Sequence, residues 1–201
     1  MAFGDKYAPL VDLKNLLLPA GSVETADDAR YTSALEASTM AINSITGRQF
    51  NNNGSVSTRK YNPDSPYICE VDDIVDNTGM IVTVNTAVWT EDLHFQCEPL
   101  NGVKNQVPGW PIERLVSLQM GTFLPVWPRK ASVVVTANFG WPSVPQSIYE
   151  ACLIGAEELA RLKDAPFGVG GYGEFGIIKV KQNPFVCRLC EPYVLDKIMW
   201  R

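Results

Sequence analysis

A glycine-rich string near the C-terminus is the first candidate for chemistry. Residues 168–173 read Gly-Val-Gly-Gly-Tyr-Gly, which matches the G-x-G-x-x-G pattern that holds a pyrophosphate in dinucleotide-binding folds. That chemistry needs a strand before the glycines and a helix after them, so that the helix N-terminus faces the phosphate. Here a helical pattern comes first, and a short strand pattern at residues 177–180 follows. The order favours a loop that is either mobile or ordered by a partner, and a small-molecule or nucleotide site remains the alternative.

Cysteine and histidine are the next candidates. Cys187 and Cys190 have the C-x-x-C spacing of a zinc knuckle, but a structural zinc site takes four ligands. Cys69, Cys97 and the single histidine, His94, are scattered along the chain. The C-x-x-C pair is therefore interpreted as two packed thiols on one face of a short helix. Nothing marks a nucleophile that His94 could activate, so we expect no catalytic, cofactor-binding or metal-binding residues and no enzymatic activity.

Acidic side chains concentrate at Glu70, Asp72, Asp73 and Asp76. Their spacing lacks the alternate ligands, the central glycine and the terminal glutamate of a calcium loop. They are predicted to form a solvated strand edge and turn.

Overall charge and hydropathy exclude several classes of partner. The 201 residues carry a net charge of -5 and contain no Lys/Arg run that could neutralise a line of phosphates, so tight binding to nucleic acid is not expected. No apolar stretch approaches the roughly 20 residues that span a bilayer, and no membrane partner is expected. The first six residues lack the pattern of a signal peptide. We therefore expect folding in a reducing cytosol, with all five cysteines as thiols.

Helical periodicity marks both flanks of the chain. A short helix is predicted over residues 9–18, and a long one begins after Thr25 as N-cap, with Asp28 as a capping-box partner, and ends near Thr46. Gly47 is placed for the left-handed residue that ends such a helix. A second long helix is predicted over residues 145–164, and Asn183 is predicted to cap a last short helix that has Pro184 in its first position. The two long helices carry apolar stripes that suit packing against each other.

The middle of the chain alternates with a period of two, which indicates strands. The residues that share one face in each of four predicted strands are Tyr67, Cys69 and Val71; Met80, Val82 and Val84; Val116, Leu118 and Met120; and Val133, Val135, Ala137 and Phe139. Gly, Pro and Asn turns separate these strands, which favours an antiparallel sheet or a small barrel.

These patterns predict an α+β fold in two parts. Residues 1–55 and 143–201 are expected to form an antiparallel long-helix core with a C-terminal tail, and residues 56–142 a β-rich insertion. The last nine residues are too apolar for a free tail. No active site is visible, and the apolar surface of the last third points to an assembly protein.

The chain also resembles the phage head-tail connector (head-to-tail adaptor) family, especially the long siphophage type from actinobacterial phages. The motifs that carry the resemblance lie in the flanks, and the strand region carries no signature. They are Val11-Asp12-Leu13-Lys14, Gly47-Arg48-Gln49-Phe50, Phe139-Gly140-Trp141-Pro142, Val144-Pro145, Glu150-Ala151, Lys163-Asp164-Ala165-Pro166-Phe167-Gly168, Gly171-Tyr172-Gly173-Glu174-Phe175-Gly176 and Pro192-Tyr193.

The resemblance implies a structural virion protein at the head-tail interface, assembled in the host cytoplasm. It implies a ring, usually of twelve copies, between the portal protein and the stopper or tail-tube/terminator proteins, without catalysis or cofactor. DNA would pass through such a ring without sequence-specific binding, and twelve copies at -5 each would surround it with roughly sixty negative charges, a field that repels DNA. A stopper or tail terminator is the alternative virion role, against which the two long helices argue.

Aromatic residues of the last third are the expected contacts with the portal or a neighbouring subunit, because aromatic anchors dominate such interfaces. They are Phe167, Tyr172, Phe175, Phe185, Tyr193 and Trp200. The alternative is that these side chains close the protein's own core.

Overall fold

The chain divides into two compact units. A computed structural model describes residues 5–19, 22, 24–52, 54–63, 65–104, 106–118, 126–128, 133–162 and 183–195. Gln49–Ser143 forms what we call the sheet unit, and Gly4–Arg48 together with Val144–Arg201 forms the helical unit. Helices and antiparallel sheets are both present, so the predicted α+β class is confirmed.

The helical unit contains four α-helices and a terminal 3-10 turn within its described residues. The helices are α1 (Leu10–Leu17), α2 (Asp28–Thr46), α3 (Gln146–Leu162) and α4 (Pro184–Cys190), and the turn is Glu191–Tyr193. Within the described part of the chain, no helix combines the length and apolarity needed to cross a membrane.

Helix α2 ends as the sequence predicted but begins differently. Gly47 adopts φ 70° and donates its backbone N–H to the Asn43 carbonyl, which confirms the predicted left-handed end. The prediction of Thr25 as N-cap is wrong, because Asp27 occupies that position. The backbone oxygen of Thr25 instead accepts the Asp28 N–H at 3.1 Å. This turn precedes the helix, which begins at Asp28 without a side-chain cap.

Small side chains bring α2 and α3 together. Ser38 Oγ donates to the Cys152 carbonyl at 2.9 Å near the middle of both helices, and Arg30 near the start of α2 donates to the Ala160 carbonyl near the end of α3. The α3 residues at four-residue spacing along this contact are all buried: Ile148, Cys152, Ala156 and Ala160. Helix α1 is held to α3 by Tyr149, whose hydroxyl donates to the Asp12 carboxylate. This hydrogen bond, with burial, raises the pKa of Tyr149 to about 12.

The sheet unit is wholly antiparallel among its named strands. They are β1 (Val56–Tyr61), β2 (Ile68–Ile74), β3 (Ile81–Val84), β4 (Ala87–Trp89), β5 (Phe95–Glu98), β6 (Val103–Lys104), β7 (Val107–Pro108), β8 (Ile112–Ser117) and β9 (Val133–Asn138). They make a four-stranded sheet in the order β1-β9-β3-β4, a three-stranded sheet in the order β2-β8-β5, and the hairpin β6-β7.

The inward faces of the two larger sheets share one core. The predicted β9 stripe is confirmed, since Val133, Val135, Ala137 and Phe139 are all buried. The prediction for β8 is wrong: that strand starts at Ile112, and its inward residue is Leu115 rather than Val116 or Leu118. A register shift of one residue reverses every side chain of a strand. Leu115 pairs with the buried Cys69, so the side of β8 that carries Leu115 faces the core.

A tryptophan corner closes the sheet unit after β9. The Trp141 ring lies 5.0 Å from Phe50 and 5.0 Å from Trp110, centroid to centroid, and its Nε1 donates to Asp73 Oδ2 at 2.8 Å. The preceding Gly140 has φ +124°, and a Cβ there would lie 2.4 Å from the Asn51 backbone oxygen. Only glycine fits this close approach of two backbone segments.

Candidate interaction surfaces

Helix α4 presents an exposed aromatic side chain on a fixed support. The predicted cap is confirmed, because Asn183 Oδ1 accepts the backbone N–H groups of Phe185 at 2.8 Å and Val186 at 3.2 Å, with Pro184 in the first turn. The Asn183 side-chain amide also donates to Glu158 on α3. These bonds attach the start of α4 to α3, and the buried side of α4 packs inward through Val186 and Cys190.

Phe185 points away from that buried side. Its side chain is 71% exposed, although it is one of the larger apolar groups in the unit. Pro184 and Arg188 lie exposed beside it on the same short helix. Phenylalanine and arginine are both enriched in protein interfaces, so Phe185 and Arg188 form a candidate contact surface. Of the two predicted contact residues within the described part of the chain, Phe185 and Tyr193, Phe185 is the one on the surface.

Tyr193 lies inside the helical unit. Its side chain is 5% exposed, and Arg48 Nε donates to its carbonyl oxygen at 2.8 Å. Two residues further on, the Leu195 N–H donates to the Thr46 carbonyl at 2.9 Å. The segment through Leu195 is thus tied to the end of α2, and the burial of Tyr193 favours the alternative that its ring helps to close the unit's own core.

The remaining four predicted contact residues lie outside the described residues: Phe167, Tyr172, Phe175 and Trp200. The glycine-rich string at 168–173 and the predicted strand at 177–180 lie outside them as well.

A cavity of about 270 Å³ opens where α2 begins and α3 ends. Its walls are Leu17, Arg30, Tyr31, Ala160 and Arg161. Both guanidinium groups have carboxylate neighbours: Arg30 lies 3.7 Å from Asp27, and Arg161 lies 2.6 Å from Glu157. Sequence reasoning missed this cavity, since its walls share no motif and α3 lies far from α1 and α2 along the chain.

The histidine and the cysteines, the candidates for catalysis, have structural surroundings. The imidazole of His94 stacks on Trp89 at 5.6 Å, and its Nδ1 accepts the Thr90 N–H at 3.0 Å. All five cysteines are free thiols. Burial raises the pKa of Cys190 to about 12, which disfavours the thiolate that a metal or a nucleophilic reaction needs. No group of three or more metal-ligating side chains occurs in the described part of the chain.

The acidic cluster has structural contacts. Asp72 binds Arg59 at 2.6 Å and accepts the Tyr61 hydroxyl at 3.0 Å. Burial, and then the negative charge of Asp72, raise the pKa of Tyr61. Asp73 accepts the Trp141 indole, so the prediction of a solvated edge is wrong for this residue. Asp76 accepts the Thr78 N–H at 2.9 Å in an exposed turn, as that prediction would have it.

Two solved structures share this fold over most of both chains. One chain lies in the neck of an empty gene transfer agent (GTA) particle computed with C6 symmetry, at 18% sequence identity and a TM-score of 0.51. The other belongs to the virion of a native GTA particle, at 17% identity and a TM-score of 0.52. Each match covers 92% of this chain and 88% of the other. No family model and no curated protein matches the sequence. At these identities the likeness establishes the fold.

Proposed function

We propose that this chain is a structural component of the neck of a tailed phage or a related particle, where it acts as the head-to-tail adaptor. The observation that carries the proposal is the shared fold, which extends over 92% of this chain and 88% of a chain from a GTA neck. A match that includes both units supports the same role for the whole chain. The adaptor motifs in the flanks point to the same family independently.

In this role the chain forms a ring, of twelve copies by analogy with adaptors, at the head-tail interface of the virion. The portal protein lies on one side and the stopper or tail-tube/terminator proteins on the other. DNA passes through the ring without sequence-specific binding, which agrees with a net charge of -5 per copy. The subunit assembles in the host cytoplasm and carries out no catalysis.

The helical unit is the adaptor core of this proposal. The start of α2 meets the end of α3 and their middles meet, so the two long helices cross antiparallel, with the sheet unit inserted between them in sequence. Phe185 is the contact residue best supported by its exposure. Phe167, Tyr172, Phe175 and Trp200 are proposed as further contacts with the portal or a neighbouring subunit.

Binding to the portal tests the proposal directly. The purified full chain is mixed with the portal ring encoded in the same genome, and the product is imaged by electron cryo-microscopy. We expect a closed ring of this chain under the portal, and no ring on a portal from an unrelated phage. Density at the distal tail end, or no binding to the portal, would reject the adaptor role. Saturable nucleotide binding by the purified monomer would favour the small-molecule alternative.

A shortened chain tests the contribution of the C-terminal end. Deleting residues 196–201 leaves the hydrogen bond from Leu195 to Thr46 in place, so the helical unit should still fold. If this end docks on the portal, the truncated chain keeps its far-ultraviolet circular dichroism but binds portal more weakly. Unchanged portal binding would remove Trp200 from the proposed contacts.

A further inference from the structure

A short segment before α1 lies against the contact between α2 and α3. We call residues 5–9 the strap; they belong to the helical unit and precede the first turn of α1. The side chain of Tyr7 is fully buried. Its hydroxyl donates to Asn43 Oδ1, and its backbone N–H donates to Thr39 Oγ1 at 3.3 Å. One aromatic side chain thus anchors the strap on α2.

The strap also contacts α3, through the sulfur of Cys152. The backbone N–H groups of Tyr7 and Ala8 donate to this sulfur. Thr39 Oγ1 on α2 lies 3.6 Å from the same atom, and the side chain of Cys152 is fully buried. Cys152 Sγ therefore lies where the strap, α2 and α3 meet.

The helices around the strap are joined by contacts that do not involve it. Helices α2 and α3 are linked by the hydrogen bonds from Ser38 to the Cys152 carbonyl and from Arg30 to the Ala160 carbonyl. Helix α1 is held by Tyr149, which donates to Asp12, and by the ion pair of Lys14 with Asp28 at 2.7 Å. The three helices can therefore stay together when the strap is displaced.

Pro9 separates the strap from α1. It occupies the N-cap position in an extended conformation, with φ -75° and ψ 153°, and makes no side-chain cap hydrogen bond. Proline has no backbone N–H, so a rotation of the chain just before it breaks no hydrogen bond of the helix. The strap can thus turn about this point while α1 keeps its place.

Several of the polar contacts that hold the strap are weak. The distance of 3.3 Å from Tyr7 N to Thr39 Oγ1 is long for a hydrogen bond, and sulfur is a weak acceptor. The ion pair of Lys6 with Glu36 spans 3.8 Å between side chains that are 32% and 55% exposed, and such surface pairs contribute little stability. The buried Tyr7 ring is the strongest of these attachments.

We infer that the strap opens as a unit while α1, α2 and α3 stay folded, and that its opening uncovers the α2–α3 contact at Cys152. Local opening of this kind needs less free energy than the unfolding of the whole unit. It gives the helical unit a closed state and an open state, and any partner that binds one of them better shifts the balance between them. The inference does not depend on the adaptor role.

The thiol of Cys152 reports this opening. Burial raises its pKa, although the hydroxyl and N–H donors around the sulfur act in the opposite direction. Alkylating reagents react with the thiolate, so we expect Cys152 to react only while the strap is open. The full chain is treated with N-ethylmaleimide at pH 8 in urea concentrations below the unfolding transition, and mass spectrometry follows each cysteine. Cys152 should react at a rate nearly independent of urea, because strap opening exposes little surface.

Two variants of the anchor sharpen the test. Tyr7→Phe removes only the hydrogen bond to Asn43 and should speed the modification of Cys152 about 5-fold. Tyr7→Ala removes the ring and should speed it about 30-fold. The matched control is Tyr149→Phe, which removes the hydroxyl that holds α1 and should leave the Cys152 rate unchanged. The rate at the buried Cys190 should not change in any of the three variants.

Three results would overturn the inference. Modification of Cys152 that rises with urea as steeply as the loss of dichroism at 222 nm, or equal acceleration of Cys152 and Cys190 in Tyr7→Phe, would show that the strap opens only when the unit unfolds. An unchanged Cys152 rate in Tyr7→Phe would show that the Tyr7 anchor does not control its exposure. Equal acceleration by Tyr149→Phe and Tyr7→Phe would show that the strap and α1 open together. Should Tyr7→Ala fail to fold, Tyr7→Phe decides alone.

Discussion

The core of the sheet unit and the contact between α2 and α3 are filled by opposite means. The sheet unit is packed with large rings, and its fully buried side chains include Phe50, Phe95, Trp127, Phe139 and Trp141. The contact between α2 and α3 depends on small residues instead, among them Ser38, Cys152, Ala156 and Ala160. A sheet face offers wide spacing that large side chains must fill, whereas two helices approach closely only when the residues between them are small. Large-to-small changes should therefore damage the core of the sheet unit most, and small-to-large changes the contact between α2 and α3.

Two spectroscopic signals separate the units. Trp89, Trp110, Trp127 and Trp141 all belong to the sheet unit. In a Trp200→Phe background, tryptophan fluorescence consequently reports the sheet unit alone. Circular dichroism at 222 nm reports mainly the helices of the helical unit.

The largest expected effect is in the tryptophan corner. Trp141→Ala removes a ring that packs on Phe50 and Trp110, so it should lower the free energy of unfolding by about 3–5 kcal/mol. Urea titration followed by fluorescence measures this. Trp141→Phe keeps most of the volume and loses the donor to Asp73, at a cost of about 1 kcal/mol. Equal effects of Trp141→Ala and the exposed control Val88→Ala would show that the corner is not a packing centre.

The complementary change enlarges a small residue between helices. Ala156 lies on the α3 stripe between Cys152 and Ala160 and is fully buried. Ala156→Leu should lower the stability of the helical unit by about 1–3 kcal/mol, because the added atoms force the helices apart. Urea titration followed at 222 nm measures this. The control Ala37→Leu, on the exposed face of α2, should stay within about 0.5 kcal/mol of the parent. A larger loss of stability in the titration followed by fluorescence than in the titration followed at 222 nm would contradict the assignment of this contact to the helical unit.

A smaller effect is expected at the cap of α4. Asn183→Ala should cost about 1 kcal/mol, since the N–H groups of Phe185 and Val186 lose their acceptor. Asn183→Ser restores a capping oxygen but not the hydrogen bond to Glu158. Hydrogen exchange at the Phe185 and Val186 amides should accelerate in the alanine variant and remain protected in the serine variant. If both variants exchange equally fast, the contact with Glu158 rather than the cap orders the helix start.

The smallest effect at neutral pH concerns the C-x-x-C pair. Burial raises the pKa of Cys190 from 9.0 to about 12, so between these values the folded state keeps a proton that the unfolded state has lost. The contribution of the Cys190 thiol to the free energy of unfolding is fully present below pH 9 and decreases as the pH rises towards 12. Cys190→Ala should flatten that decrease. At pH 8 we expect iodoacetamide to modify the half-buried Cys187 before Cys190, as mass spectrometry of timed samples will show. Equal rates of modification at Cys187 and Cys190 would contradict the burial of Cys190.

Local signals of the sequence predicted several features correctly. Gly47 and Asn183 mark helix ends, because a left-handed residue and a side-chain cap depend on the residue itself and its immediate neighbours. The β9 stripe was recognisable since four apolar residues alternate without interruption. Strands β1, β4 and β5 were missed: they are short or rich in polar residues, and their assignment depends on the partners β9, β3 and β8. The side of β8 that faces the core was predicted wrongly for the same reason, because it depends on how the strand pairs with its neighbours.

The candidate site was less accessible to sequence reasoning than the fold. The sequence identified Phe185 as a large apolar residue, but only the packing of Val186 and Cys190 shows that Phe185 is left on the surface. Tyr193 looked equivalent to it, and the hydrogen bonds that hold its segment against Arg48 and Thr46 bury it. Burial is a property of the neighbours in space, which residue type alone does not specify.

The sequence alone indicated an α+β chain with helical flanks and a strand-rich middle. It also located the end of α2 at Gly47 and the start of α4 at Asn183. Both kinds of signal, periodicity and capping, act over only a few residues. The tertiary structure alone decided which side of β8 faces the core, that small residues join α2 to α3, and that a cavity forms where α2 begins and α3 ends. Those outcomes depend on contacts between segments that are distant along the chain, such as Cys69 with Leu115 and Arg30 with Ala160. Whether an apolar residue is core or contact surface is set by such contacts.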